Sequence, residues 1–359
     1  MAIPEFRPLD VVLCATGCKI FLKNRLTTCM NVLLLLVILA DYTFAVFASF
    51  DQIQTDNKFA ILTVLARFSD QLCGISFIWV INRNRDRIIQ FLPQVLDNLN
   101  TKQRRSLWNH SLVGCLAVFL TIFQDVVYTL IHLSLLKTCP TFAHVAADFA
   151  KTYLYVNSWF VGGISVYTFF VKASMFSKEN NFRMLIEKQS FENEDPHKLA
   201  LNQRKSRNVR TKLLGTLSFI PVLWFFHLFV RASATSIEVT ERFDTTFERL
   251  WRITAVLIQL IAVLYVVYIC DWDTTQTRRR INAVIVNVLR TNSRESMSIL
   301  VDELSEDKDG EFVVWNTFEL NRAFTITFIS SLLSFVLLFV ELTHNFLEKV
   351  EKSMNSTKS

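Results

Sequence analysis

Residues 324–342 read FTITFISSLLSFVLLFVEL, and the fold turns on how this stretch is understood. It is close to the roughly 20 apolar residues that an α-helix needs to cross the hydrocarbon of a bilayer. Yet it contains Thr327, Ser331 and Ser334 and nearly ends on Glu341. These steps of four, three and seven put the four polar side chains on one helical face, and Leu338 fills the gap on that face. A polar stripe broken by one leucine and closed by a carboxylate suits a water-lined pore with an apolar constriction. It equally suits close helix packing through the small hydroxyls, with Glu341 reaching headgroup water.

The rest of the chain resembles this stretch in composition. Of 359 residues, 51% are hydrophobic, 32 are Phe, and the mean hydropathy is +0.31, too apolar for an ordinary soluble domain. Seven runs approach or exceed spanning length: Thr28 to Phe50, Phe59 to Ile81, Ser111 to Leu136, Tyr153 to Met175, Leu213 to Val230, Ile253 to Cys270 and Phe324 to Leu342. The expected class is all-α, a polytopic membrane protein with seven transmembrane helices. The earlier run VVLCATGCKIFL, residues 11–22, is too short to span and predicts an interfacial or re-entrant segment.

Charge orients the bundle. Most of the 38 Lys and Arg fall in the N-terminal segment and in the connections after the second, fourth and sixth runs, and basic connections stay cytoplasmic. Residues 1–27 are therefore expected to be a cytoplasmic N-terminal segment. Residues 28–270 hold the first six spans with a long cytoplasmic loop at 176–212. Residues 271–323 form a cytoplasmic loop, 324–342 the last helix and 343–359 an extracellular tail. The acceptor NST at Asn355 lies in that tail and is the expected glycosylation site.

Both long cytoplasmic connections have helical character. In the second, Ile281, Val284, Val288 and Leu289 follow a helical period, so the sixth helix is expected to extend into the cytoplasm as part of a helical layer. The acidic run ELSEDKDGEF, residues 303–312, lacks the closing Glu of a calcium loop and reads as a solvated linker. No phosphate loop, nucleotide-binding turn, zinc-protease or serine-hydrolase motif occurs. The seven Cys show neither metal spacing nor an extracellular pair. The chain is therefore expected to have no enzymatic activity, no metal or other cofactor and no nucleic-acid partner.

Ionisable and aromatic residues within the spans mark a candidate ligand pocket, because such groups face a bundle interior or cavity. Asp125, Tyr128 and His132 share a face of the third span, and Arg67 with Asp70 forms an i, i+3 pair in the second. Trp159, Trp224, His227, Tyr265 and Tyr268 supply aromatic surface. The same positions serve helix packing or interface anchoring.

The segment TFELNRAFTITFISSLLSFVLLFVEL, Thr317 to Leu342, resembles the ending of insect gustatory receptors and their gustatory receptor-like relatives. Phe318, Leu320, Asn321 and Arg322 match the entry motif of that family. Ser334 and Phe335, then five apolar residues, then Glu341 and Leu342 stand where the family has Thr-Tyr, five apolar residues and Gln-Phe. The resemblance implies a chemoreceptor of taste or related sensory perception in the plasma membrane, acting as a ligand-gated, non-selective cation channel. It implies a tetramer, homomeric or built with related subunits, that responds to a small-molecule ligand. It also implies cytoplasmic extensions that join subunits and a last helix that lines the pore. Leu338 then resembles the apolar gate, and Glu341 replaces the pore glutamine. The alternatives are a serpentine G-protein-coupled chemoreceptor, which would place its N-terminus outside, and a transporter, which would show inverted repeats and broken helices.

Overall fold

A computed structural model describes residues 3–15, 20–21, 36, 60–135, 157–191, 196–241, 246–291, 313–314, 318–320, 323–338 and 341. The long helices are α2 (Ala60–Asp97), α3 (Thr101–Leu135), α4 (Asn157–Phe191), α5 (Pro196–Gly215), α6 (Ile220–Glu241) and α7 (Thr246–Thr291). The short α1 (Arg7–Ala15) precedes them and α8 (Ala323–Leu338) closes the series. The first expected span, Thr28 to Phe50, lies outside the described residues apart from helical Leu36.

Among the described residues the architecture is all-helical save one tight pairing of β1 (Val313–Val314) with β2 (Phe318–Glu319), antiparallel in register Val313 to Glu319. Among the described residues, the stretches Phe160–Met184, Leu201–Ser236 and Ile253–Asp271 are long and apolar enough to cross a membrane. This is the pattern of a multi-pass membrane protein.

Helix α4 is the hub. It packs against α1, α2, α3, α5 and α7, and every residue from Phe160 to Val171 is buried. Small residues allow this crowding. A Cβ added to Gly114 of α3 would lie 2.8 Å from the Ser165 Cβ and 3.1 Å from Leu9, so the α3–α4 approach needs glycine there. The outer faces carry the opposite pattern. Leu112, Leu116, Phe119, Leu120 and Phe123 form an exposed apolar stripe on α3, as Leu250, Ile253, Leu257 and Ile261 do on α7, as lipid contact requires.

Two expectations change. The N-terminal run is sheltered in part by protein: Leu13 and Ile20 within it are buried, as are Phe6 and Leu9 just before it, against α3 and α4, whereas Val11 is exposed. The Phe6 ring meets Phe169 at 5.0 Å, and the Leu9 amide donates to Ser111 Oγ at 3.3 Å. Span length measures a segment against the bilayer, and this one is buried by protein instead. The expected fifth span, Leu213 to Val230, is interrupted by a turn at 216–219. Gly215 ends α5, and Pro221, which lacks an N–H and so suits a first helical turn, opens α6. Several of the expected spans are parts of longer helices. Charged, amphipathic continuations lengthen α2, α3, α4 and α7, and α7 runs unbroken through Ile281, Val284, Val288 and Leu289.

The continuations of α2, α3 and α4 meet α5 in a polar layer. Asn100 caps α3 reciprocally with Gln103: the Gln103 amide donates to Asn100 Oδ1 at 2.9 Å, and the Asn100 amide to Gln103 Oε1 at 3.2 Å. Gln103 and Asn180 of α4 exchange amide bonds, Asn98 donates to Asn181 at 3.1 Å, and Asn181 reaches Ser206 of α5. Arg104 spans the layer. Its guanidinium pairs with buried Glu5 at 3.0 Å and donates to the carbonyls of Leu96 and Leu99.

Candidate functional site

The last helix is held by one face. Phe225 of α6 meets Phe324 at 4.9 Å and Phe328 at 4.7 Å, both edge to face, while Phe229 lies 4.4 Å from Phe335. Leu332 is buried on the same side. Phe324, Phe328, Leu332 and Phe335 repeat every three to four residues and fix the rotation of α8 about its axis. Its other sides follow from that rotation.

Thr327, Ser331, Ser334, Leu338 and Glu341 are all exposed in the single chain. At about 100° per residue, this stripe lies about a quarter turn from the phenylalanine face. Ile326, Leu333 and Leu337, each more than half exposed, occupy the side opposite the packing. Helix α8 therefore has an aromatic face toward its own chain, an apolar outer face and a polar stripe between them. The Thr327 hydroxyl donates to the Ala323 carbonyl at 3.0 Å, so its donor is satisfied within the helix and its oxygen keeps a free lone pair.

The remaining positions of the terminal motif scatter. Phe318 pairs in β2, Leu320 is buried in the main core, and Ser334 and Phe335 sit on different sides of α8. Asn321, Arg322 and Leu342 lie outside the described residues, as does Asn355.

The candidate pocket residues divide into three groups. Trp224 and His227 come together in a buried aromatic cluster: the Trp224 ring stands edge-on to Tyr167 at 5.6 Å and to Phe160 at 6.3 Å, and His227 lies 5.3 Å from Phe160. Ser69 Oγ lies 3.5 Å from His227 Nδ1, joining α2 to the cluster. Tyr265 and Tyr268 do not join it. They lie on the exposed side of α7, where Tyr265 stacks over His110 at 6.4 Å and His110 bonds Thr168 at 2.9 Å. Arg67, Asp70, Asp125, Tyr128, His132 and Trp159 are helical, and their side chains lie outside the described residues.

Sequence reasoning missed Phe160, Tyr167 and Ser69. The signal was present, since Phe160 and Tyr167 are seven residues apart on one face of α4, but hub helices are apolar all round and their periodicity carries no direction.

No family model matches the sequence, and no curated protein does. The fold, in contrast, has solved counterparts. The structure of the insect olfactory receptor OR5 from Machilis hrabei superposes with a TM-score of 0.71 at 9% identity, covering 94% of this chain and 97% of that one. The same receptor in complex with eugenol superposes with a TM-score of 0.65 at 11% identity over the same shares. At nearly full length, this chain therefore has the all-helical fold of an insect olfactory receptor.

Proposed function

We propose that this protein is a chemoreceptor of the insect gustatory receptor-like kind, a ligand-gated, non-selective cation channel subunit of the plasma membrane. The observation that carries the reading is the full-length likeness in fold to an olfactory receptor, one form of which is held in complex with eugenol. The terminal resemblance at Thr317 to Leu342 directs it toward the gustatory branch, and the exposed stripe on α8 directs it to a mechanism.

In this reading α8 lines the pore. Its phenylalanine face stays with the parent subunit, and the stripe of Thr327, Ser331, Ser334, Leu338 and Glu341 turns toward a shared axis in a homo- or heterotetramer. The hydroxyls solvate a passing cation, and a ring of Leu338 closes the path by excluding water. With the N-terminus cytoplasmic, Glu341 stands near the outer mouth, where a ring of carboxylates concentrates cations. The ligand is a small molecule, and the buried Trp224–His227 cluster, which α6 forms with α2 and α4, is the candidate part of its pocket.

The test is whole-cell recording from cells expressing this chain alone. Leu338→Ser should produce a standing cation leak without any ligand, and an agonist-evoked current should change its ion selectivity in Glu341→Gln. A current of normal size and selectivity in both variants, at equal surface levels, would remove α8 from the pore. Staining of a C-terminal tag on intact cells separates this reading from a G-protein-coupled receptor, whose C-terminus is inside.

A further inference from the structure

At the break between α5 and α6 the surface opens into a cavity of about 300 Å³ that no feature of the proposed channel uses. One wall is α2, which presents Trp79, Arg83 and Arg87 at successive turns; the other is the turn that begins after Gly215 and includes Thr216 and Ser218. The Arg83 guanidinium lies over the exposed Trp79 ring, 4.7 Å from its centroid. Asn84 fixes the two walls together: its amide donates to the Thr216 carbonyl at 3.1 Å and to the Val80 carbonyl at 3.0 Å.

The lining chooses a charge. Among the described residues no carboxylate borders the cavity, and neither Arg83 nor Arg87 has an ion pair. The Thr216 and Ser218 hydroxyls already donate to the carbonyls of Leu213 and Gly215, leaving the two guanidiniums as the charged donors of the lining. Planar forks of this kind match the oxygens of a phosphate.

Position then chooses the source. Trp79 stands at the end of the apolar half of α2, immediately before the run NRNRDR, residues 82–87. Pro221 opens the apolar α6 across from it, and α5, which leads into the turn, carries Lys198, Arg204, Lys205, Arg207, Arg210 and Lys212 with no acidic residue. An exposed tryptophan between apolar and basic surface is the signature of the headgroup level on the cytoplasmic side.

We infer that this cavity binds the phosphodiester of an anionic phospholipid, with its phosphate between Arg83 and Arg87 and its glycerol backbone against Trp79. Because Asn84 ties α2 to the α5–α6 turn, the lipid would clasp the same joint from its open side. The inference rests on the reading of the chain as membrane-spanning, and not on its being a channel.

The experiment uses the full chain purified in neutral detergent, with retained lipid counted by native mass spectrometry after exposure to vesicles of phosphatidylcholine with or without phosphatidylglycerol. The wild type should retain one phosphatidylglycerol in preference to phosphatidylcholine. The double variant Arg83→Gln/Arg87→Gln should lose that preference by roughly tenfold or more, since it removes two charge-assisted contacts. Gly215→Phe should do the same without altering charge, because a Cβ at Gly215 meets nothing within 4 Å and the ring would grow into open space. Arg105→Gln, an exposed charge on α3, should leave retention unchanged. Equal loss in Arg105→Gln, or full retention in either cavity variant, overturns the proposal. Displacement of the lipid by inorganic phosphate, together with thermal stabilisation by phosphate alone, would assign the cavity to a free anion and overturn the lipid. Release of the protein from membranes by carbonate without detergent would instead defeat the membrane reading itself.

Discussion

The edge of the Phe225 ring meets Phe328 at 4.7 Å with the planes 67° apart, and through this contact α6 sets which side of the last helix faces away from the chain. Phe225 also meets Phe324 edge-on. Phe225→Ala removes both contacts and leaves a hole against α8. Destabilisation of about 3 kcal/mol is expected, seen as a lower thermal midpoint in detergent. Phe225→Leu should recover about half, and an unchanged midpoint in both would show that α8 is held elsewhere.

Gly114 and Gly215 make a matched pair of opposites. Gly114→Ala places a methyl 2.8 Å from Ser165 Cβ and 2.9 Å from its Oγ, and overpacking of this kind costs about 1–3 kcal/mol. Ser165→Gly in the same chain should restore most of the loss. Gly215→Ala meets no atom within 4 Å and should be neutral within about 0.5 kcal/mol. Equal thermal midpoints for the two alanine variants would contradict the close α3–α4 approach.

Arg104 and Glu5 anchor the N-terminal segment to the polar layer. The Glu5 carboxylate is almost wholly buried, whereas Arg104 is about one-third exposed, with side-chain accessibilities of 9% and 38%. Arg104→Ala therefore strands a buried charge and should cost about 1–3 kcal/mol, whereas Glu5→Gln, which keeps a hydrogen-bond acceptor, should cost less. A double-mutant cycle reads the coupling directly, and a coupling near zero would mean that the pair merely coincides.

Asn100 and Gln103 form a reciprocal cap, so Asn100→Ala should cost about 1 kcal/mol and Asn100→Ser only a few tenths. Hydrogen exchange at the first turn of α3 should quicken in the alanine variant and stay near normal in the serine variant. Slow exchange in both would place the start of α3 under the control of packing alone.

Much of the fold is legible in the sequence because lipid imposes its own pattern. The apolar runs at residues 59–81, 111–136, 153–175 and 253–270 all lie in helices, apart from positions outside the described residues. The rest is hidden for physical reasons. The break at 216–219 falls inside a continuous apolar run, and only Gly215, Ser218 and Pro221 betray it. Burial of Phe6 and of α1 is invisible to a length rule, since their shelter comes from Phe169, Phe170 and Ser111, far away in sequence. The stripe on α8 was legible because one face of a single helix fully determines it. A pocket was not, because it needs the relative rotation of several helices: Trp224 and Tyr268 look alike in sequence, yet one is buried and the other is half exposed.

The amide exchanges among Asn98, Gln103, Asn180 and Asn181 also limit how this bundle moves. Greasy side chains tolerate sliding, because one methyl can replace another, but a side-chain amide finds its complement only at one setting along the axis. The polar layer thus works like the notches of a ratchet that is never released. Pistoning of α4 past α3 would break several bonds at once, whereas leaning about the layer would displace them least. Any signal that crosses this protein should therefore travel as tilt, pivoting at the amides and growing with distance from them.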